Sequence, residues 1–156
     1  MDTLELVPRN KHDLERVNSL IAVGPEAAVP ILEELLVWLQ DINWPVARPL
    51  AQFLVSVGDP LLPHLRKILS SQDEMWIYWV LQYVVAMLPP RIVRELANEL
   101  YSLATASEND HVAFCVGSAA SVWDDAKLRH LLANKIRAYE EFLSELRAIQ
   151  AALPEP

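Results

Sequence analysis

Apolar and polar positions follow a helical spacing along most of the chain, and prolines and glycines interrupt it. The first such stretch predicts a lead helix over residues 10–22. Its apolar residues lie three or four positions apart, on one helix face: Leu14, Val17, Leu20 and Ile21. Asn10 is its predicted N-cap, and Asp13 follows three positions later as in a capping box.

Prolines divide the segment that follows the lead helix. Gly24-Pro25 stops the first helix and opens a second, predicted over residues 25–39, because proline is tolerated in a first helical turn. Pro30 removes a backbone donor one turn further in and predicts a kink. A third helix is predicted over residues 44–57, with a second kink at Pro49.

This plan then recurs at an interval close to 33 residues. Residues 62–69 overlay residues 29–36 with the internal proline preserved, and Asp73-Glu74-Met75-Trp76 repeats Asp41-Ile42-Asn43-Trp44. A third, weaker copy follows Pro89-Pro90. Two-helix units at this period are typical of α-solenoids, in which neighbouring units bury one another's apolar faces. The predicted fold is all-α, a right-handed superhelix of HEAT-like two-helix repeats in one domain over residues 1–156, with units at 25–57, 60–88 and 90–122.

A long terminal helix is predicted over residues 124–153, starting at Asp124 or Asp125. Its apolar positions continue at helical spacing: Leu128, Leu132, Ile136, Tyr139, Leu143, Leu146, Ile149 and Leu153. We expect its first half to cap the open end of the repeat array, because an open solenoid end exposes apolar surface. The part beyond Leu143 is a candidate surface for a homodimer.

Three stretches resemble a small bacterial family of uncharacterised HEAT-like proteins. They are Val7-Pro8-Arg9-Asn10-Lys11-His12-Asp13, Trp38-Leu39-Gln40-Asp41-Ile42-Asn43-Trp44-Pro45-Val46-Ala47 and Asp73-Glu74-Met75-Trp76-Ile77-Tyr78-Trp79. The likeness covers most of the first 90 residues, and beyond Pro90 no matching motif is present. It implies a helical-repeat fold and no particular chemistry.

Composition excludes several classes of protein. The chain has 156 residues, 53% of them hydrophobic, with three glycines, one cysteine and a net charge of −8. Scattered basic residues in an acidic chain argue against nucleic acid as a partner. The longest apolar run, residues 75–88, is too short for a membrane helix, which needs about 20 residues. A single cysteine and no signal-peptide pattern predict a cytoplasmic protein without disulfides.

Motifs for catalysis or cofactor binding are not evident in the sequence. The glycines stand alone, so no phosphate-binding loop is predicted. The four histidines are far apart, so neither a metal site nor a cofactor is expected. His111 and Cys115 share a helix face, which would suit a Cys–His nucleophile. However, the apolar surroundings of Cys115 favour a buried structural thiol.

The candidate site is a row of polar and aromatic residues at the predicted starts of equivalent helices. We call it the helix-start edge, and its members are His12, Asp13, Asp41, Asn43, Trp44, Asp73, Trp76 and Trp79. Helix starts carry free backbone donors and a positive dipole end, which suit a polar ligand or a peptide. His111 and Asp110 would extend the row. A purely structural interpretation has Asp41 or Asn43 capping a helix and Trp38 and Trp44 packing between units.

Two functional hypotheses remain open. The first is a non-enzymatic binding or adaptor module for a protein or peptide, with an immunity or regulatory role as one version and a basic partner suited to the acidic charge. The second is a small-molecule sensor or enzyme that uses the Asp, Trp and His residues of the helix-start edge. Fold alone cannot choose between them, because function depends on the site.

Overall fold

The computed structural model describes residues 3–106, 111–120 and 122–153, without the side chains of residues 111–114. Across these ranges the chain forms α-helices and 3-10 helices and no β-strand, which confirms the predicted all-α class. The α-helices are α1 (Leu14–Val23), α2 (Leu32–Leu36), α3 (Ala47–Val55), α4 (Leu62–Leu69), α5 (Glu74–Tyr83), α6 (Pro90–Glu95), α7 (Ala97–Ala106), α8 (His111–Ala119) and α9 (Asp125–Ala152). The 3-10 helices are Thr3–Leu6, Pro25–Ile31, Val37–Gln40, Asp59–Leu61 and Val85–Met87.

The lead helix begins later than the sequence predicts. Its N-cap is Asp13 rather than Asn10, because the Asp13 carboxylate accepts the backbone N–H of Arg16 in the first turn. The Asn10 side chain instead accepts the backbone N–H of His12. A short polar side chain that bonds two residues ahead forms a local turn, which competes with helix initiation.

Pro30 breaks the predicted second helix instead of kinking it. Pro25–Ile31 is a 3-10 helix, α2 contains five residues, and Val37–Gln40 is again a 3-10 helix. Proline lacks the N–H of an α-helical hydrogen bond, and its ring clashes with the carbonyl four residues earlier. The segment therefore consists of three short helical pieces, and Leu39 is buried in the last of them.

The predicted third helix is also shorter, and it has no interior proline. Residues 44–46 form a turn, and α3 begins at Ala47, so Pro49 lies in its first turn. The first N–H groups of a helix have no intrahelical partner, so proline costs little there. Pro63 occupies a similar place as the second residue of α4.

The later helices also differ from the prediction. α5 stops at Tyr83, and Leu88 before Pro89-Pro90 is extended, as the residue before a proline prefers. The first part of the third predicted unit, residues 90–122, contains two helices, α6 and α7, which are separated at Leu96. The Leu96 side chain is fully buried at this break.

Three ion pairs join residues that lie 32 to 34 positions apart, and Arg66 also lies 3.9 Å from a Glu95 carboxylate oxygen, 29 positions away. Lys67 pairs with Glu33, Arg66 Nε lies 3.1 Å from Glu99 Oε1, and Arg91 lies 2.7 and 2.8 Å from the two oxygens of Asp59. These residues are largely exposed, and surface ion pairs contribute only about 0–1 kcal/mol. Their importance is that the same spacing connects three successive parts of the chain.

The chain divides into two compact units, Met1–Val122 and Trp123–Pro156. The first unit has an apolar core drawn from all its larger helices, with fully buried residues that include Leu20, Leu35, Leu50, Leu65, Leu81 and Leu100. In the second unit, Asp124 caps α9 by accepting the backbone N–H of Lys127 at 2.7 Å. α9 follows the predicted terminal helix closely. Its capping role and the single-domain assignment stay predictions.

Within residues 3–106, 111–120 and 122–153, every helix is too short or too polar to cross a bilayer.

We predict that Leu35→Ala and Leu69→Ala each lower the free energy of unfolding by about 2–5 kcal/mol, because both side chains are buried in the core. Urea unfolding monitored by circular dichroism would measure this. The control is Leu14→Ala, since Leu14 is 40% exposed, and its effect should stay within about 0.5 kcal/mol. Equal losses in all three variants would contradict the packing described above.

Candidate functional site

His12 and Asp13 lie in the turn that precedes α1. The Asp13 carboxylate accepts backbone N–H groups from Arg9 at 3.0 Å and from Arg16 at 3.4 Å. These bonds, with the nearby Arg9 and Arg16 charges, lower the pKa of Asp13 below its ordinary value, although partial burial opposes the shift. The Lys11 carbonyl accepts the Val46 N–H at 3.3 Å, so this turn lies against the start of α3.

Asp41 organises its own loop rather than the start of α3. Its Oδ1 accepts the backbone N–H of Asn43 at 2.9 Å and the Asn43 side-chain Nδ2 at 3.0 Å. The first helical residue is Ala47, so neither Asp41 nor Asn43 is the N-cap. The structural interpretation of these two residues as caps was therefore wrong, because a side-chain turn forms first.

Trp38 and Trp44 contact each other across this loop. Their rings stand edge to face, with centroids 5.6 Å apart and planes at 69°. This is a favourable geometry for aromatic pairs. Both side chains are half-buried, so the pair closes the loop and still presents some ring surface.

Asp73 and Trp76 start α5 together. The Asp73 carboxylate caps the helix by accepting the Trp76 backbone N–H at 3.0 Å. The Trp76 indole Nε1 donates to the Leu36 carbonyl at 3.0 Å, at the last residue of α2. Trp76 therefore takes part in the cap of α5 through its backbone N–H, and its indole attaches α5 to the end of α2.

Trp79 belongs to a second aromatic group. Its ring centroid lies 4.7 Å from that of Tyr78 and 6.1 Å from that of Tyr83. The Arg48 guanidinium lies over the Tyr83 ring, 5.4 Å from its centroid. This cation–π contact joins α3 to α5.

The helix-start edge thus divides into separate local groups. Trp44 contacts Trp38, Trp76 bonds to Leu36, and Trp79 contacts Tyr78 and Tyr83, so each tryptophan has a different neighbour. Of the two predicted Asp–Trp pairs, Asp73 and Trp76 lie at a helix start and Asp41 and Trp44 lie in a loop. Asp110 and the side chain of His111 lie outside the described residues. That the edge binds a partner stays a prediction.

A small concave surface lies beside Trp76. We call it the Trp76 groove. Its volume is about 210 Å³, and it is lined by Glu33, Leu36, Val37, His64, Lys67, Ile68, Ser71 and Trp76. Leu36 and Ile68 are buried in its floor, whereas Val37 is 41% exposed. It is an apolar groove with charged groups at its rim.

Glu33 and Lys67 provide opposite charges at that rim. The hydrogen bond from Lys67 and its positive charge lower the pKa of Glu33, with a smaller contribution from His64 and an opposing effect of burial. Glu33 therefore stays ionised at neutral pH. This pair was not predicted from the sequence. The alignment of residues 62–69 with residues 29–36 does, however, place the basic Arg66-Lys67 opposite the acidic Glu33-Glu34.

A second groove of about 480 Å³ is more polar. It is lined by Leu69, Ser70, Asn98, Glu99, Ser102, Leu103 and Ala106. The Glu99 carboxylate is already paired with Arg66. This groove therefore offers hydroxyl and amide groups around an engaged carboxylate.

Cys115 is a buried structural thiol, as the sequence predicts. Its side chain is fully buried, and burial raises its pKa to about 12. The thiolate, which is the reactive form, is therefore scarce at neutral pH. Within the described residues, no cluster of three or more His, Cys, Asp or Glu side chains has the geometry of a metal site.

The fold and these contacts define an all-helical protein with a small apolar groove on its first unit. A family model described as "Domain of unknown function (DUF5071)" matches residues 6–123. The chain belongs to this family, which confirms the expected membership of a family without assigned activity. The match ends at the start of the second unit, so α9 lies beyond it. No curated protein matches the chain.

We predict that Asp13→Asn destabilises the protein at neutral pH, because backbone hydrogen bonds in the folded state hold the pKa of Asp13 below its ordinary value. A group with a lowered folded pKa stabilises the fold above its unfolded pKa, and the effect disappears as pH falls through the folded value. Urea unfolding of both proteins, from neutral pH down through the acidic pH at which Asp13 titrates, would measure the difference in their free energies of unfolding. A difference that persists unchanged at the most acidic pH where both still fold would contradict the assignment.

Proposed function

We propose that the protein is a non-enzymatic binding module built from HEAT-like two-helix repeats, and that the Trp76 groove receives an apolar side chain of a protein or peptide partner. The groove carries this proposal because it combines an apolar floor with a charged rim. Protein interfaces typically have an apolar, desolvated centre and a polar periphery. Of the eight residues predicted for the site, Trp76 is the one that lines the groove.

The regular cross-chain contacts support the repeat architecture. Glu33–Lys67, Arg66–Glu99 and Asp59–Arg91 are separated by 34, 33 and 32 residues. In a right-handed HEAT-like superhelix each unit packs against its neighbours, so contacts between residues about one repeat length apart are expected. Scaffolds of this kind present extended surfaces to protein partners.

The size of the groove favours part of a larger partner over a small molecule. Pockets for small molecules typically measure about 300–1,000 Å³ and enclose most of the ligand. At about 210 Å³, the Trp76 groove suits a single side chain. The net charge of −8 favours a basic partner, since complementary charge speeds association. The buried free thiol suits the cytoplasm.

The alternative function, a small-molecule sensor or enzyme at the helix-start edge, has weaker support. The carboxylates of Asp13, Asp41 and Asp73 all accept backbone N–H groups within their own loops or helix starts. General acid–base catalysis instead favours groups whose pKa is tuned toward the working pH. The pKa shifts of Asp13, Glu33 and Cys115 all move away from neutrality.

The test is a peptide selection followed by one matched pair of variants. Binding peptides would be enriched on the immobilised protein from a random display library, and their dissociation constants measured by calorimetry. Val37→Glu places a charge in the groove, and Val29→Glu is the control. The two valines are 41% and 42% exposed, both lie in 3-10 helices, and Val29 is outside the groove lining.

We expect peptides with a bulky apolar residue to be enriched, to bind the parental protein and Val29→Glu equally, and to lose binding to Val37→Glu. Both variants should unfold at similar urea concentrations, since both positions are exposed. Equal binding to Val37→Glu would refute the groove. Failure to enrich any peptide, together with a metabolite retained in native mass spectrometry, would favour the small-molecule alternative.

A further inference from the structure

α9 carries a long apolar face that is exposed. Every residue from 136 to 153 is exposed, including Phe142 at 58% and Leu146 at 45%. The helix has 28 residues, which corresponds to about 40 Å at 1.5 Å per residue. An apolar face of this length is unusual on a surface that stays in water.

The apolar residues of α9 recur with the seven-residue spacing of a heptad repeat. The first core positions are Leu132, Tyr139, Leu146 and Leu153, and the second core positions are Leu128, Lys135, Phe142 and Ile149. Lys135 is the polar exception. Apolar residues that alternate at three and four positions in this way form the seam between two packed helices. A helix is therefore the expected occupant of this face.

Charge is unevenly divided along the same helix. Residues 125–138 contain four basic residues and one acidic residue, whereas residues 139–152 contain three acidic residues and one basic residue. The helix dipole does not account for this, because its influence is confined to the first and last turns and favours the opposite signs. The two halves of α9 instead complement each other in charge.

We propose that α9 pairs antiparallel with α9 of a second copy of this chain. Two copies in this orientation set each basic half against an acidic half, whereas a parallel pair would align like charges. The heptad registers place Tyr139 beside Phe142 of the partner subunit and Leu132 beside Ile149 of the partner subunit. In this arrangement Leu132 and Tyr139 face the partner subunit, so they do not serve the capping role expected from the sequence. The arrangement is twofold symmetric, so one face serves both chains. It is independent of the Trp76 groove.

The first measurement is the mass of the full-length chain in solution, by sedimentation equilibrium over a range of concentrations. We expect twice the 17.7 kDa of one chain. Leu146→Lys puts a charge into the seam and should return the mass to that of one chain. The control, Ser144→Lys, lies on the opposite face and should leave the dimer intact, with equal helix content by circular dichroism in both variants.

The orientation is tested by cysteine cross-linking. An equal mixture of Leu132→Cys and Ile149→Cys chains should form a disulfide between the two species, whereas Ile149→Cys alone should not link to itself. The parental protein, with its buried Cys115, controls for background. A single-chain mass at all concentrations, or a dimer that survives Leu146→Lys, would overturn the proposal. Self-linked Ile149→Cys would overturn the antiparallel arrangement.

Discussion

The hydrogen bond from the Trp76 indole to the Leu36 carbonyl joins α5 to α2, and both helices contribute residues to the Trp76 groove. α2 ends at Leu36, and the 3-10 helix Val37–Gln40 follows it directly. The Trp76 side chain, 40 residues later, donates to the carbonyl at this junction. The same contact holds the wall of the Trp76 groove against the Val37–Gln40 turn. Without it, α5 would lose its specific attachment to the end of α2.

Proline position explains why the class of fold was predictable while the helix bounds were not. The spacing of apolar residues identifies helices, but the outcome of each proline depends on where its helix begins. Pro49 and Pro63 lie in first turns, and the helices continue past them. Pro30 follows a 3-10 start, and the segment breaks into three short pieces. Helix starts depend on side-chain hydrogen bonds such as the one that Asp13 accepts from the Arg16 N–H, and the spacing of apolar residues does not predict these bonds.

The candidate site was predictable only in part, because one residue type can serve both capping and recognition. Asp13 and Asp73 cap helices, while Asp41 forms a turn that the repeat overlay with Asp73 does not anticipate. Trp76 was identified from sequence, and it lines the groove. Val37 was missed because an exposed valine carries no chemical signal until its neighbours are known.

The most direct test of the proposed recognition is a nuclear magnetic resonance titration of the parental protein with an enriched peptide. We predict that the Trp76 indole N–H signal and the methyl signals of Val37 and Ile68 shift together as peptide is added. The Val29 methyl signals, from an equally exposed residue outside the groove, should stay in place. Shifts confined to α9 or to the Trp38–Trp44 loop, with the groove signals unchanged, would contradict the account.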